Sequence, residues 1–165
     1  MGTVYLAHQI SLDRPVALKI LKEQYARDNS FILDFVREAR AAAKLNHPNI
    51  VQAYAVGEED GTYFFAMEFV EGKTLKRIMN EKRRLEWRRG FHIGMQVAEA
   101  LDFAWKNQHL IHRDIKPDNI MITPRGVAKL ADLGLARAAT ELQDDEEEVM
   151  GTPQYICPEQ LLGQP

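Results

Sequence analysis

Eight consecutive residues, His112-Arg113-Asp114-Ile115-Lys116-Pro117-Asp118-Asn119, gather two acids, two cations and an amide behind an expected helix. Loops in such places commonly carry functional groups, and this mixture suits the handling of charge at a site. A lone Asp-x-Lys would more simply be a solvated charged loop, so it is the whole string that argues for chemistry. A second candidate is Lys19, which stands inside the apolar run Val16-Ala17-Leu18-Lys19-Ile20-Leu21. An acid is available to it at Glu38, on the helix expected next. A third is Asp132-Leu133-Gly134, which begins 13 residues after Asn119 and directly follows Lys129-Leu130-Ala131. Taken alone, it reads as a turn.

The elements that must position these groups follow from patterning. Val4-Tyr5-Leu6-Ala7 and Val16 to Leu21 are β-prone runs split by Asp13-Arg14-Pro15, which predicts a hairpin. Helical spacing begins after Asn29-Ser30, a plausible N-cap, with Phe31, Phe35, Ala39 and Ala42-Ala43 on one face. That helix should stop before His47-Pro48. Strands are expected over Ile50–Val56 and Thr62–Phe69, joined by Glu58-Glu59-Asp60-Gly61, and Gly72 marks a break. A short basic helix should run from Thr74 to near Arg84. A longer one is expected from Trp87 to Asn107, with Phe91, Met95, Ala98, Leu101 and Trp105 inward. Short strands around Ile120–Ile122 and Ala128–Leu130 are split by Pro124-Arg125-Gly126. Strands first and helices later imply an α+β protein with two lobes and a cleft between them.

With these elements in place, the catalytic string resembles that of the protein kinases, whose loop reads H-R-D-x-x-x-x-N. Lys two residues after the Asp is the serine/threonine version. The resemblance implies that Asp114 accepts or orients the proton of an attacking hydroxyl. It implies that Lys116 neutralises charge on the transferring phosphoryl group and that Asn119 holds magnesium. Phosphoryl transfer needs little covalent help, so positioning and charge stabilisation do most of the catalysis. In this register Asp132-Leu133-Gly134 is similar to D-F-G, and Asp132 becomes the main magnesium ligand, because hard oxygen donors suit that ion. Val16-Ala17-Leu18-Lys19 resembles V-A-I-K, which implies a Lys19–Glu38 ion pair and phosphate contacts from Lys19.

Gly2-Thr3-Val4-Tyr5 is similar to the end of the glycine-rich loop, with Gly2 as its third glycine and Val4 over the adenine. Met67-Glu68-Phe69-Val70 falls where the gatekeeper and hinge belong. The backbone of Glu68 and Val70 is expected to bond adenine, and Ala17, Val4 and Met121 to close on the ring. Gly151-Thr152-Pro153-Gln154-Tyr155-Ile156-Cys157-Pro158-Glu159 resembles the close of an activation segment, with Cys157 in place of Ala and read as a small buried filler. Thr152 is expected to contact Asp114 and Lys116. Because small-molecule kinases generally lack this segment, it argues for a protein substrate. The acidic run Asp144 to Glu148 could stand in for an activating phosphate.

The wording resembles bacterial serine/threonine kinases most, notably in Phe35 to Ala39 and Leu45 to Val51. The fold implied is a two-lobed protein-kinase-like fold, incomplete at both ends. Residues 1–70 form the small lobe and hinge, and 71–165 the start of the larger lobe. The cofactors implied are ATP and Mg2+, and the partner a protein with a Ser or Thr acceptor, with a kinase dimer left open. A pseudokinase is the alternative, as is a small-molecule phosphotransferase. A pseudokinase usually lacks a catalytic Lys, Asp or metal ligand, and none of these is missing here.

Composition agrees. At 165 residues, 45% hydrophobic and 27% charged, the chain is an ordinary globular one. Its net charge of −3 gives no pull toward nucleic acid or anionic membrane. One cysteine excludes an internal disulfide and a zinc cluster, and fits a reducing compartment. No run approaches a membrane span, and the N-terminus lacks the features of a signal peptide, so a cytoplasmic location is the expectation.

Overall fold

The computed structural model describes residues 2–132, 137–138 and 152–162. The first part is a four-stranded antiparallel sheet in the order β1-β2-β4-β3, carrying one helix. Strands β1 (Gly2–Gln9) and β2 (Arg14–Leu21) form the expected hairpin. Its turn is longer than the sequence suggested: a single 3-10 turn at Ile10–Leu12 ends on Asp13, which has a left-handed φ of 46°. Gly2 has to be glycine for steric reasons, since a Cβ there would meet the Ile20 carbonyl oxygen at 2.7 Å.

Helix α1 (Asn29–Ala43) begins two residues earlier than expected. Asp28 is its N-cap, and the Asp28 carboxylate accepts the Ser30 backbone N–H at 2.9 Å. Its buried face is Phe35, Glu38, Ala39 and Ala42, whereas Phe31 is half-buried and packs its ring on Tyr25. A carboxylate on the buried face is unusual, and it already singles out Glu38.

Strands β3 (Ala53–Glu59) and β4 (Thr62–Glu68) are joined at Asp60-Gly61, both with positive φ, as a tight hairpin turn requires. The expected strand from Ile50 in fact starts at Ala53. The backbone of residues 49–51 is used elsewhere: Val51 N–H donates to the Leu130 carbonyl at 2.9 Å, and Leu130 N–H donates to that of Asn49 at 2.8 Å. These bonds tie the sheet to the second part of the chain.

That second part begins with β5 (Lys73–Thr74) and α2 (Leu75–Lys82), which is capped by the Thr74 hydroxyl. Gly72 allows the chain to cross closely here, because a Cβ would lie 2.3 Å from the Ile122 carbonyl oxygen. Helix α3 (Trp87–Gln108) follows, capped by Glu86, which accepts from the N–H groups of Arg88 and Arg89. Next come β6 (Leu110–Ile111), β7 (Ile120–Ile122), β8 (Ala128–Leu130), β9 (Arg137–Ala138) and the short α4 (Pro158–Leu161). Strand β7 pairs with β5 and β8, and β6 pairs with β9.

The expected inward face of α3 is corrected by the structure. Its buried residues are Ile93, Val97, Ala100 and Ala104, while Phe91, Met95, Ala98 and Trp105 are exposed and Leu101 is half-buried. Both stripes recur at three- and four-residue steps, so periodicity alone does not choose between them. The buried stripe divides between two clusters. Ala100 and Ala104 pack with Phe35, Leu45, Ile50 and Phe65 beneath the sheet, and Ile93 and Val97 pack with Ile78, Ile120 and Leu130. Polar groups bridge the same region. Asn49 Nδ2 donates to Gln96 Oε1 at 2.9 Å and to the Ala128 carbonyl at 2.8 Å.

Candidate active site

Lys19 points off β2 and Glu38 off the buried face of α1, and the two meet at 2.6 Å. Lys19 Nζ also donates to the second Glu38 oxygen at 2.8 Å and to Asp132 Oδ1 at 3.2 Å. Burial pushes the Glu38 carboxyl up to about 7, against the pull of the Lys19 charge. Burial would lower the Lys19 ammonium, but the carboxylates of Glu38 and Asp132 outweigh it and raise its pKa above the usual lysine value. Asp132 is pushed up by burial as well, yet Lys19 and the hydrogen bonds around it hold the carboxyl below its ordinary range. Asp132 takes a left-handed φ of 61°, a conformation uncommon outside glycine.

A second cluster is built on the loop between β6 and β7. Thr152 donates its hydroxyl proton to Asp114 Oδ1 at 2.7 Å and accepts from Lys116 Nζ at 2.8 Å. Lys116 Nζ lies 2.6 Å from Asp114 Oδ2, and Asn119 Nδ2 donates to the same oxygen at 3.0 Å and to the Asp114 carbonyl at 2.9 Å. Burial would raise the Asp114 carboxyl, but the hydrogen bonds from Lys116, Thr152 and Asn119 hold it below the usual range. It is therefore a carboxylate at neutral pH, with each oxygen already engaged by donors.

His112 fixes the loop from inside. Burial lowers its pKa, so the ring is neutral at pH 7. Nδ1 accepts the Asp114 N–H at 3.3 Å, which leaves Nε2 as the protonated nitrogen, facing the Ala131 carbonyl at 3.4 Å. The Ala131 N–H in turn donates to the Asn119 carbonyl at 2.8 Å. The Asp114 loop and the segment that carries Asp132, just after β8, are thus held in a fixed mutual position.

The two clusters border a cleft of about 300 Å³. Of the residues singled out from sequence, Val4, Ala17, Lys19, Glu38, Met67, Glu68, Val70, Asn119, Met121 and Asp132 line it. Asp114, Lys116 and Thr152 form the adjoining cluster, joined to the cleft through Asn119. Gly2 does not line it: it lies at the start of β1, opposite Leu21. Leu133, Gly134, the acidic run Asp144 to Glu148 and Gly151 lie outside the described residues.

Cys157 is corrected: it is exposed rather than a buried filler. Phe69, of the expected hinge, lines the cleft too, as do Val51, Asp118 and Ala131, to which the sequence assigns no role. Asp118 carried a signal, lying inside the catalytic string. The Glu68–Lys129 ion pair was missed as well. Lys129 Nζ lies 2.8 Å from the Glu68 carboxylate, with both side chains largely buried, and joins β8 to the end of β4. Sequence offered no cue to it, because 61 residues separate the two.

Comparison with known proteins agrees with this geometry. The family description "Protein kinase domain" matches residues 1–165. The chain is 45% identical over 164 residues to "Serine/threonine-protein kinase PrkC" of Bacillus subtilis, covering 99% of the chain and 25% of that protein. It is 41% identical over 172 residues to "Serine/threonine-protein kinase PknB" of Mycolicibacterium smegmatis, covering 99% of the chain and 27% of that protein. The chain thus spans about a quarter of the length of the curated relatives it matches.

Proposed function

The chain belongs to the protein kinase family, and from that premise we propose that its parent transfers the γ-phosphoryl group of ATP to a Ser or Thr hydroxyl of a protein substrate. The observation that carries this reading is the Thr152–Asp114–Lys116 triangle set beside a cleft holding Lys19, Glu38 and Asp132. In the transfer, the acceptor oxygen bonds to the γ-phosphorus as the bond to the β–γ bridging oxygen breaks. ADP leaves with that electron pair, and the hydroxyl proton passes to Asp114.

Each side chain then has a defined task. Asp114, kept ionised, orients the hydroxyl and takes its proton. Lys116 sits beside it as a fixed positive charge for the transferring group. Lys19, oriented by Glu38, meets the phosphates from the opposite wall of the cleft. Val4 and Ala17 above and Met121 below suit a flat apolar ring, and the backbone of Glu68 and Val70 supplies its hydrogen bonds. The boundary between the lobes falls at residues 70 and 71 in this reading, just before Gly72.

The residues present also fit magnesium. The Asn119 NH2 is committed to Asp114, which leaves its amide oxygen as a hard donor, and Asp132 supplies an ionised carboxylate. No group of three or more acidic, His or Cys side chains forms a closed metal cage among the described residues. Magnesium is commonly held by one or two carboxylates together with substrate phosphates, so these donors suffice. When bound there, the ion supplies charge neutralisation at the phosphate oxygens.

The test is phosphoryl transfer from γ-labelled ATP by the complete parent protein, using a Ser/Thr protein mixture as acceptor. Label on Ser or Thr that disappears with Asp114→Asn supports the reading. Nucleotide binding without any transfer would make the protein a binding module instead. No helix among the described residues is long and apolar enough to cross a membrane.

A further inference from the structure

We propose that Gln160 is a positioning residue for Asp114, acting through the backbone of Arg113; the inference rests on the phosphoryl-transfer reading above. Gln160 belongs to α4, whose N-cap is Cys157. Its Oε1 accepts from the Cys157 backbone N–H and from the thiol, each at 3.3 Å. That half is a capping arrangement, in which a Gln in the first turn reaches back to the N-cap.

The cap also fixes which way the carboxamide points. With its oxygen turned to Cys157, its NH2 is left to donate to the Arg113 carbonyl, at 2.9 Å. Arg113 has a φ of 66°, a left-handed conformation that a non-glycine residue keeps only where its surroundings enforce it. Arg113 immediately precedes Asp114. Residues 152–162 therefore grip Asp114 at two points: Thr152 holds the carboxylate, and Gln160 holds the carbonyl of the residue before it. The first grip sets the rotamer of Asp114, and the second sets the direction from which its Cα enters the site. Only a side chain with an acceptor at one position and a donor at the other serves both Cys157 and Arg113.

The test is steady-state kinetics on the complete parent with Gln160→Glu and Gln160→Lys. The carboxylate keeps the cap on Cys157 but turns an acceptor toward the Arg113 carbonyl. Lysine gives up the cap and keeps a donor for Arg113. Gln160→Glu is expected to lower kcat about tenfold, the value of one well-placed hydrogen bond, with the KM for ATP within about twofold of wild type. Gln160→Lys should keep most of kcat. Should the added charge unfold α4, Gln160→Met carries the same test, with kcat falling while the KM for ATP holds. Unchanged kcat in Gln160→Glu, or equal losses in the Glu and Lys variants, overturns the proposal and leaves Gln160 as a cap alone. A wild-type parent that transfers no phosphate overturns the underlying reading and this inference with it.

Discussion

Lys19 and Glu38, 19 residues apart and on different elements, meet at 2.6 Å with only 13% and 6% of their side chains open to solvent. Two charges this buried persist because each satisfies the other, and removing one partner strands the remaining charge. Asp132 joins them from the far side of the cleft at 3.2 Å, so the ammonium is shared between two acids. The sheet, α1 and the segment that follows β8 therefore converge on one charged atom.

The pH dependence follows from Glu38. Its folded pKa of about 7 lies above the ordinary value of 4.5, so the folded chain takes up this proton before the unfolded chain does. Its contribution to stability is complete below about 4.5 and is lost as pH rises through about 7. The charge that orients Lys19 runs the other way and is present only above that midpoint. In the complete parent, the KM for ATP should therefore rise, by up to roughly tenfold, as pH falls from 8 to 6. Glu38→Gln should abolish the inflection. An inflection near 7 that survives the substitution assigns it to another group.

Asp114 is held by three donors at its carboxylate, so Asp114→Asn changes its charge while keeping its shape. Turnover in the parent should fall by roughly 10²–10⁴-fold, the range for loss of a positioned base, with nucleotide affinity retained. Calorimetric titration with ATP, set beside the transfer rates, checks both halves. Near-normal turnover removes Asp114 from its assigned role.

Asp132→Asn should act on a different quantity. This carboxylate both faces Lys19 and offers the hard donor expected for magnesium. The increase in ATP affinity on adding magnesium should shrink several-fold in the variant, while affinity without magnesium changes less. A magnesium effect equal to wild type would show that Asp132 serves only as a counter-charge for Lys19.

Local chemistry was legible in the sequence where one contiguous string carried it. Within the loop from His112 to Asn119, Asn119 reaches Asp114 because neighbours along a tight loop are neighbours in space. The contacts of Thr152 with Asp114 and Lys116 span 38 and 36 residues and were expected only from the resemblance to kinases. The Lys19–Glu38 contact was legible in the same way, from the resemblance together with an acid available on the next helix. The Glu68–Lys129 pair and the Gln160–Arg113 bond depend on how distant elements dock, and no periodicity records that. Cys157 was misjudged because small size suggests burial, whereas its position before a four-residue helix leaves it exposed.

Helix α3 carries two apolar stripes at helical spacing, and only one of them is buried. Its two apolar stripes lie on opposite sides, and the more aromatic one is outside, with Trp87 at 72%, Phe91 at 67% and Trp105 at 46% exposure. The inner stripe is made of smaller residues because Ala100 and Ala104 let the helix approach the packed cluster around Phe35 and Leu45 closely. Apolar surface of the outer kind is an association hazard in water, so the 165-residue chain should self-associate. Phe91→Glu combined with Met95→Lys should lower its light scattering and sedimentation coefficient. Stability should change little, since surface substitutions usually stay within about 0.5 kcal/mol. Ile93→Ala on the inner stripe should instead cost about 2–5 kcal/mol in urea unfolding, the usual range for emptying a packed site. A comparable loss from the outer pair would mean that the two faces of the helix are assigned the wrong way round.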